Sequence, residues 1–392
     1  MINSVTRFSF PTTISFGPGA IQQLPDNLCE VNIHKPLVVT DANLKTTDVY
    51  GTATAVLERS ATPYAVFADV RPNPPVEDVE RAVDAYRAND CDGVIGLGGG
   101  SSLDAAKVVR VLVANEGPLT RYDIQVGGNA QIQGPLPPMI AIPTTAGTGS
   151  EVGRCSVITD PSREKKFLVC HPTMMPSMAI LDPELTVGLP PLLTAATGMD
   201  AFVHCLESLT APIFHPMCDA IAEKGIELVV QYLERAVKHP GDIEARGYMM
   251  LAATMGAVAF QKDLGAAHSL SHALSTVCGL QHGLANAICM VPVMKFNRQA
   301  AASHYARVAR CFGIHTCDMP DLDAADEAIA AVANLNRRIG IPGSLAEVGI
   351  MEEQFPELAA KAFADPCHQT NPRPCSKEDL LMLYREAHKQ RL

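Results

Sequence analysis

Val94-Ile-Gly-Leu-Gly-Gly-Gly-Ser-Ser-Leu-Asp-Ala-Ala-Lys107 reads as an apolar strand, a turn of three glycines and the first turns of a helix. With no Cβ at Gly98, Gly99 or Gly100, backbone N–H groups can approach a ligand closely, and Ser101 or Ser102 is placed to cap the helix behind them. Open N–H groups at the positive end of a helix suit a phosphate. The spacing is neither G-x-G-x-x-G, because Ser101 stands three after Gly98, nor the Walker A pattern. By itself the turn is therefore also compatible with a plain strand-to-helix connection.

Working outward, short β-branched runs over 37–40, 64–70, 93–97 and 139–143 alternate with helical patterns over 47–60, 76–89 and 102–115. This βαβ order predicts a parallel sheet. Residues 157–160 and 167–170, separated by the turn Pro161-Ser162-Arg163-Glu164, predict a hairpin, and 178–181 a further strand. After Leu189-Pro190-Pro191 the pattern turns helical almost without strands, through 199–210, 217–238, 243–260 and 268–277 to 380–388, with breaks at Ala211-Pro212 and His239-Pro240. The composition shift divides the chain into an α/β domain over 1–185 and an all-helical domain over 186–392.

A second polar loop follows the strand at 139–143: Pro143-Thr-Thr-Ala-Gly-Thr-Gly-Ser-Glu151 adds four hydroxyls at the same carboxyl edge of the sheet, where open α/β sheets bind ligands. Asp41, at the end of the first strand, is placed either to accept hydrogen bonds from a ribose diol or to form an Asx turn. In the helical half, Asp200 and His204 stand four apart, as do His268 and His272, and His282 follows ten residues later. Residues four apart share a helix face, so two helices and a loop supply one carboxylate and up to four imidazoles. Such a set suits a borderline divalent ion such as Fe²⁺ or Zn²⁺. His171, His215, His239 and His368 show no such grouping and read as structural or surface residues.

The 392 residues carry 42 acidic against 31 basic side chains, and a net charge of -11 argues against nucleic-acid binding. With 47% hydrophobic and 19% charged residues the chain is too apolar to be disordered. Arg7 and the polar–apolar alternation up to Gly17 do not make a signal peptide, and twelve cysteines without a C-x-x-C pair read as reduced, mostly buried thiols in a cytoplasmic protein. No charged residue stands between Asp263 and Lys295, but His268, His272, His282, Gln281 and Asn286 make this stretch a buried core rather than a membrane span.

Taken together, GGGS-x-x-D-x-x-K from Gly98, P-T-T-A-G-T-G-S-E from Pro143, G-x-D-A-x-x-H-x-x-E from Gly198 and G-x-x-H-x-x-x-H from Gly265 with a later H-G resemble the iron-containing (group III) alcohol dehydrogenases. The matches run from Phe10-Pro11 and Phe16-Gly17 to Asn371-Pro-Arg373. The resemblance implies the dehydroquinate synthase-like fold, an α/β N-terminal nucleotide-binding domain plus an all-α C-terminal metal-binding domain, with the active site in the cleft between them. It implies Asp200, His204, His268 and His282 as metal ligands and His272 as a further histidine beside the substrate. Gly98, Gly99, Gly100 and Ser101 match the pyrophosphate contacts; Thr144, Thr145, Thr148 and Lys166 match further cofactor positions; Asp41 and Asn73 match the adenosine side.

The implied reaction is reversible, NAD-linked oxidation of a small primary alcohol or diol to the aldehyde, with Fe²⁺ or Zn²⁺ at the substrate oxygen and His272 passing the proton. Asp41 favours NAD over NADP, and a homodimer or higher homo-oligomer is expected. Gly153, Ala273-Leu274-Ser275 and Phe260-Gln-Lys-Asp263 depart from the residues usual in the family, several where a substrate would be gripped. Among alternatives, a maleylacetate reductase-like enzyme typically lacks the full ligand set, and a dehydroquinate synthase-like lyase shares NAD and metal. A non-catalytic nucleotide sensor leaves the metal set unexplained. A zinc hydrolase would need a Glu where Ser269 stands in His268-x-x-x-His272.

Overall fold

The structure, a computed structural model, describes residue 10 and residues 12–163 and 165–390. Pro11, Glu164 of the hairpin turn and residues 1–9 of the N-terminal reading lie outside these. The chain forms two compact units, one of residues 10–145 and 149–188, the other containing 146–148 and the residues from 189 onward.

The first unit is built on strands β1 (Thr13–Phe16), β2 (Pro36–Val39), β3 (Ala65–Phe67), β4 (Gly93–Gly98), β5 (Met139–Pro143) and β8 (Met178–Leu181), with the hairpin β6 (Cys155–Asp160) and β7 (Lys165–Cys170) beside them. Helices α1 (Leu24–Glu30), α2 (Asp48–Arg59), α3 (Val76–Ala88) and α4 (Gly100–Ala114) complete it. The six-stranded sheet has the order β1-β8-β5-β4-β2-β3 and every pairing in it is parallel. Alternate residues of the central strands feed opposite cores. Leu37, Val39, Val94, Met139 and Ala141 pack on the side of α3 and α4, whereas Val38, Ile95, Leu97, Ile140 and Ile142 pack on the side of α1 and α2. A sheet covered on both faces has no polar stripe, which is why these strands read as unbroken apolar runs.

β1 lies outside the apolar runs that predict the sheet. Its alternation is realised as an edge strand in register with β8, Thr13 opposite Met178 and Phe16 opposite Leu181. The hairpin is longer than the apolar runs suggested, and the added pairs bring Cys155 opposite Cys170. Their Cα atoms are 4.1 Å apart and a disulfide joins them. This corrects the expectation of twelve reduced thiols: Cys155 lies outside the run over 157–160, and only the longer register makes it the partner of Cys170. Among the other ten, Cys91, Cys205, Cys218 and Cys289 are buried, while Cys29 and Cys317 are exposed.

The helical unit contains α5 (Pro191–Thr210), α6 (Pro216–Lys238), α7 (Ile243–Ala259), α8 (Ala266–Cys278), α9 (His282–Asn297), α10 (Ala302–Cys311), α11 (Asp321–Arg338), α12 (Phe355–Ala364) and α13 (Lys377–Lys389). α5 begins eight residues before the 199 expected from periodicity, because Pro191 occupies the first turn. Proline is pre-set for that position, where its missing N–H costs nothing. α6, α7 and α9 pack around α5, and every residue of α5 from Thr194 to Thr210 is buried. Its polar side chains therefore need partners inside the protein. No helix among the described residues is long and apolar enough to cross a membrane.

Candidate functional site

In the α/β unit, β2 has β3 on one side and β4 on the other, so the strand order reverses between β2 and β4. Ligands of open α/β sheets bind outside the carboxyl ends at such a point. Asp41 follows β2 and the glycine turn ends β4, one on each side of it. Gly98 has φ +142°, a conformation that favours glycine. Gly99 is the N-cap of α4 and offers no side-chain cap. Ser101 and Ser102 thus lie inside the first turn, which corrects their expected capping role and leaves the first N–H groups without a side-chain cap.

Asp41 forms the Asx turn that the sequence allowed. Its Oδ1 accepts from the N–H groups of Asn43 at 3.0 Å and Leu44 at 2.9 Å, while Oδ2 lies 3.6 Å from where a Cβ on Gly98 would be. The Thr144 N–H donates to the Gly98 carbonyl at 3.0 Å, and Thr145 lies 3.5 Å from the Cβ position of Gly99. The Asn73 N–H donates to Ser101 Oγ at 3.3 Å, and Lys166 Nζ donates to Asn73 Oδ1 at 2.8 Å. These candidates thus gather around the glycine turn, whereas Thr148 groups with the helical unit. Two further members of the turn motif serve structure instead. Lys107 is fully buried and donates to the carbonyls of Cys155 and Gly153, and Asp104 accepts from Ser150 Oγ and the Val157 N–H.

In the helical unit, Asp200 and His204 lie one turn apart on α5, His268 and His272 one turn apart on α8, and His282 opens α9. Asp200 Oδ1 is 4.0 Å from His204 Nε2, 3.9 Å from His268 Nε2 and 3.4 Å from His282 Nε2. Close approach of α9 to α5 depends on Gly283, where a Cβ would stand 2.3 Å from the Ala196 carbonyl oxygen. Ligand atoms of Asp200, His204 and His268 all lie within 4.8 Å of one another, and His282 joins them through Asp200.

Hydrogen bonds fix which nitrogen faces inward. His268 Nδ1 donates to Glu207 Oε2 at 2.6 Å. Ser271 Oγ donates to the His282 carbonyl at 3.1 Å and accepts from His282 Nδ1 at 2.7 Å. Both rings therefore turn an Nε2 lone pair toward Asp200. Burial pushes the His204 imidazole down to about 4, with neighbouring His268 adding to the effect and Asp200 opposing it. The ring is neutral at pH 7, as a metal ligand must be. Asn286 Nδ2 is 2.7 Å from Asp200 Oδ1 and 3.3 Å from both His268 Nε2 and His282 Nε2. One amide with two hydrogens thus faces three acceptors, a shortage of positive charge that a cation would meet. Ligand atoms about 2.0–2.2 Å from such an ion lie roughly 3.4 Å apart, close to the separations around Asp200. The donor set fits a divalent metal.

His272 stands beside this group, its ring stacked on His282 at 5.2 Å between centroids. Its Nδ1 donates to Asp365 Oδ2 at 2.8 Å, and Asp365 Oδ1 accepts from Ser269 Oγ and the Cys367 N–H, both at 2.9 Å. Burial alone would raise the Asp365 carboxyl, but His272 and these donors hold it well below the usual carboxylate range. Phe260, one of the departures from the family pattern, leans on the His204 ring at 5.2 Å. His368 is buried against the Asp365 carbonyl, His171 and His215 cap helices, and His239 is exposed.

Glu207, Asn286 and Asp365 were not assigned roles from the sequence. Glu207 lies seven residues after Asp200 and Asn286 four after His282, so helical spacing could have found both. Glu207 also accepts the N–H groups of Gly265 at 2.9 Å and Ala267 at 2.7 Å, fixing the start of α8. Glu207→Gln should lower the affinity of the site for a divalent ion roughly 10–100-fold, the usual cost of losing a carboxylate behind a ligating histidine. Chelator competition measures this, and unchanged affinity would show that His268 is oriented without Glu207.

The pattern described as "Iron-containing alcohol dehydrogenase" matches residues 11–183, and that of "Fe-containing alcohol dehydrogenase family, C-terminal" matches 194–388. The NAD-dependent methanol dehydrogenase of Bacillus methanolicus is 37% identical over 98% of this chain and 100% of its own length. The 4-hydroxybutyrate dehydrogenase of Cupriavidus necator is 40% identical over 94% and 96%. A solved 1,3-propanediol oxidoreductase superposes with a TM-score of 0.94 at 33% identity, covering 98% of this chain and all of the other.

Proposed function

The chain belongs to the iron-containing alcohol dehydrogenase family, and on that premise we propose a metal-dependent enzyme that interconverts small primary alcohols or diols and their aldehydes with NAD. The observation that carries the reading is the convergence of Asp200, His204, His268 and His282, with His272 held alongside by Asp365. We assign the first four to Fe²⁺ or Zn²⁺, residues 186–392 to the metal-binding and catalytic role, and residues 1–185 to dinucleotide binding through Gly98–Gly100, Ser101, Thr144, Thr145, Lys166, Asn73 and Asp41, with Thr148 contributing from its own loop. The relatives named for methanol, 4-hydroxybutyrate and 1,3-propanediol support a short substrate. The enzyme is taken as cytoplasmic and homo-oligomeric, and among the described residues β1 is an edge strand of the sheet.

When bound, the metal supplies a Lewis acid for the substrate oxygen and NAD carries the hydride. The protein does the rest. Glu207 and Ser271 hold His268 and His282 in the ligating tautomer. Asp365 keeps a proton on His272 Nδ1, so His272 Nε2 is the atom that takes a proton during oxidation and returns it during reduction. The hydrolase and lyase alternatives are not favoured: Ser269, where a hydrolase needs a base, is committed to Asp365.

Growth of the NADH absorbance band with butanol, in metal-loaded enzyme, tests the reading, and no turnover with any short alcohol, diol or aldehyde would overturn it. The same assay tests coenzyme choice. A carboxylate facing a 2′-phosphate is repulsive, so kcat/KM should favour NAD by at least about tenfold, or 1.4 kcal/mol. Asp41→Asn removes the charge yet keeps an oxygen for the Asn43 and Leu44 N–H groups, and should narrow that ratio; an unchanged ratio would exclude Asp41 as its cause.

A further inference from the structure

Besides the buried group around Asp200, the described residues contain one other cluster of mixed metal-ligating atoms: those of His272, Asp365 and Cys367 lie within 4.8 Å of one another. They offer a nitrogen, an oxygen and a sulfur. All three residues are partly exposed, whereas Asp200, His204 and His268 are buried. Imidazole, carboxylate and thiolate together select a borderline ion of the zinc kind rather than Mg²⁺ or Ca²⁺, which prefer oxygen alone.

We propose that His272, Asp365 and Cys367 form a second, inhibitory site for a divalent cation such as Zn²⁺. With no ion bound, burial and the neighbouring Asp365 keep the Cys367 thiol protonated, and the carboxylate serves His272. On binding, the Cys367 thiol loses its proton to solvent and its sulfur bonds to the ion. The His272 proton moves from Nδ1 to Nε2, so that Nδ1 becomes a ligand and the net release is one proton. Nε2, now protonated, can no longer accept the proton of a substrate alcohol. Inhibition thus rests on the reading of His272 as the proton-transfer group, while binding does not.

The test is titration of the metal-loaded enzyme with Co²⁺, followed by absorbance and by alcohol oxidation. A thiolate-to-cobalt charge-transfer band is expected in the wild type, because only a sulfur ligand produces it; exchange into the nitrogen–oxygen site around Asp200 gives none. Turnover should fall in step with the band. Cys367→Ser should abolish the band and weaken inhibition by at least the roughly 10–100-fold that perturbing a metal's ligands costs, with turnover before cobalt unchanged. No band, or the same band in Cys367→Ser, overturns the site. A band formed without loss of turnover leaves the site standing and overturns the role given to His272 Nε2.

Discussion

His268→Ala should purify without its divalent ion and turn over at least about 10³-fold more slowly, because a Lewis acid at the substrate oxygen is worth several kcal/mol and each 1.36 kcal/mol is tenfold in rate. His268 is the sharpest of the four ligand tests. It is 1% exposed and lies between Glu207 at 2.6 Å and Asp200 at 3.9 Å. Its loss removes a nitrogen from the group and leaves two buried carboxylates, Asp200 and Glu207, without their shared neighbour. The same joint loss of metal and turnover should follow alanine at Asp200, His204 or His282. NADH affinity should stay within a few-fold of the wild type, because the glycine turn that we assign to the pyrophosphate belongs to the other compact unit. Metal analysis, steady-state rates and NADH titration on one preparation decide the matter. A metal-replete His268→Ala or a fully active His282→Ala would break the assignment.

How much of this was legible in the sequence depends on the range of the interaction. The sheet and α4 were readable because β4 and β5 are local apolar runs whose alternate residues enter two cores. The ligand helices were readable because Asp200 with His204, and His268 with His272, are pairs four apart. What was not legible was set by register or by distant contact. Cys155 and Cys170 become partners only through the length of the hairpin. Ser101 and Ser102 looked like caps, yet α4 starts earlier, at Gly100. Asp365 reaches His272 across 93 residues of chain, and nothing in its local sequence announces it. Glu207 lay in plain view in the motif; its role needed the Gly265 and Ala267 N–H groups brought to it.

His272→Ala should give the opposite pattern to His268→Ala: full metal content, but a kcat lower by roughly 10²–10⁴, the range for losing a positioned acid–base group. The two histidines lie one turn apart on α8 and their rings are 5.9 Å apart, so helical spacing cannot separate them. Their hydrogen bonds do. His268 Nδ1 is held by Glu207, which turns Nε2 toward Asp200. His272 Nδ1 is held by Asp365 on the other side, and His272 belongs to a different ligand cluster from Asp200, His204 and His268. With four protein ligands assigned, a fifth would crowd the position that substrate oxygen needs, because a catalytic metal must keep a site open. We therefore assign His272 to the substrate hydroxyl rather than to retention of the ion. Should His272→Ala instead purify metal-free while His268→Ala keeps its metal, the two roles are exchanged, and Asp365 rather than Glu207 becomes the carboxylate that orients a ligand.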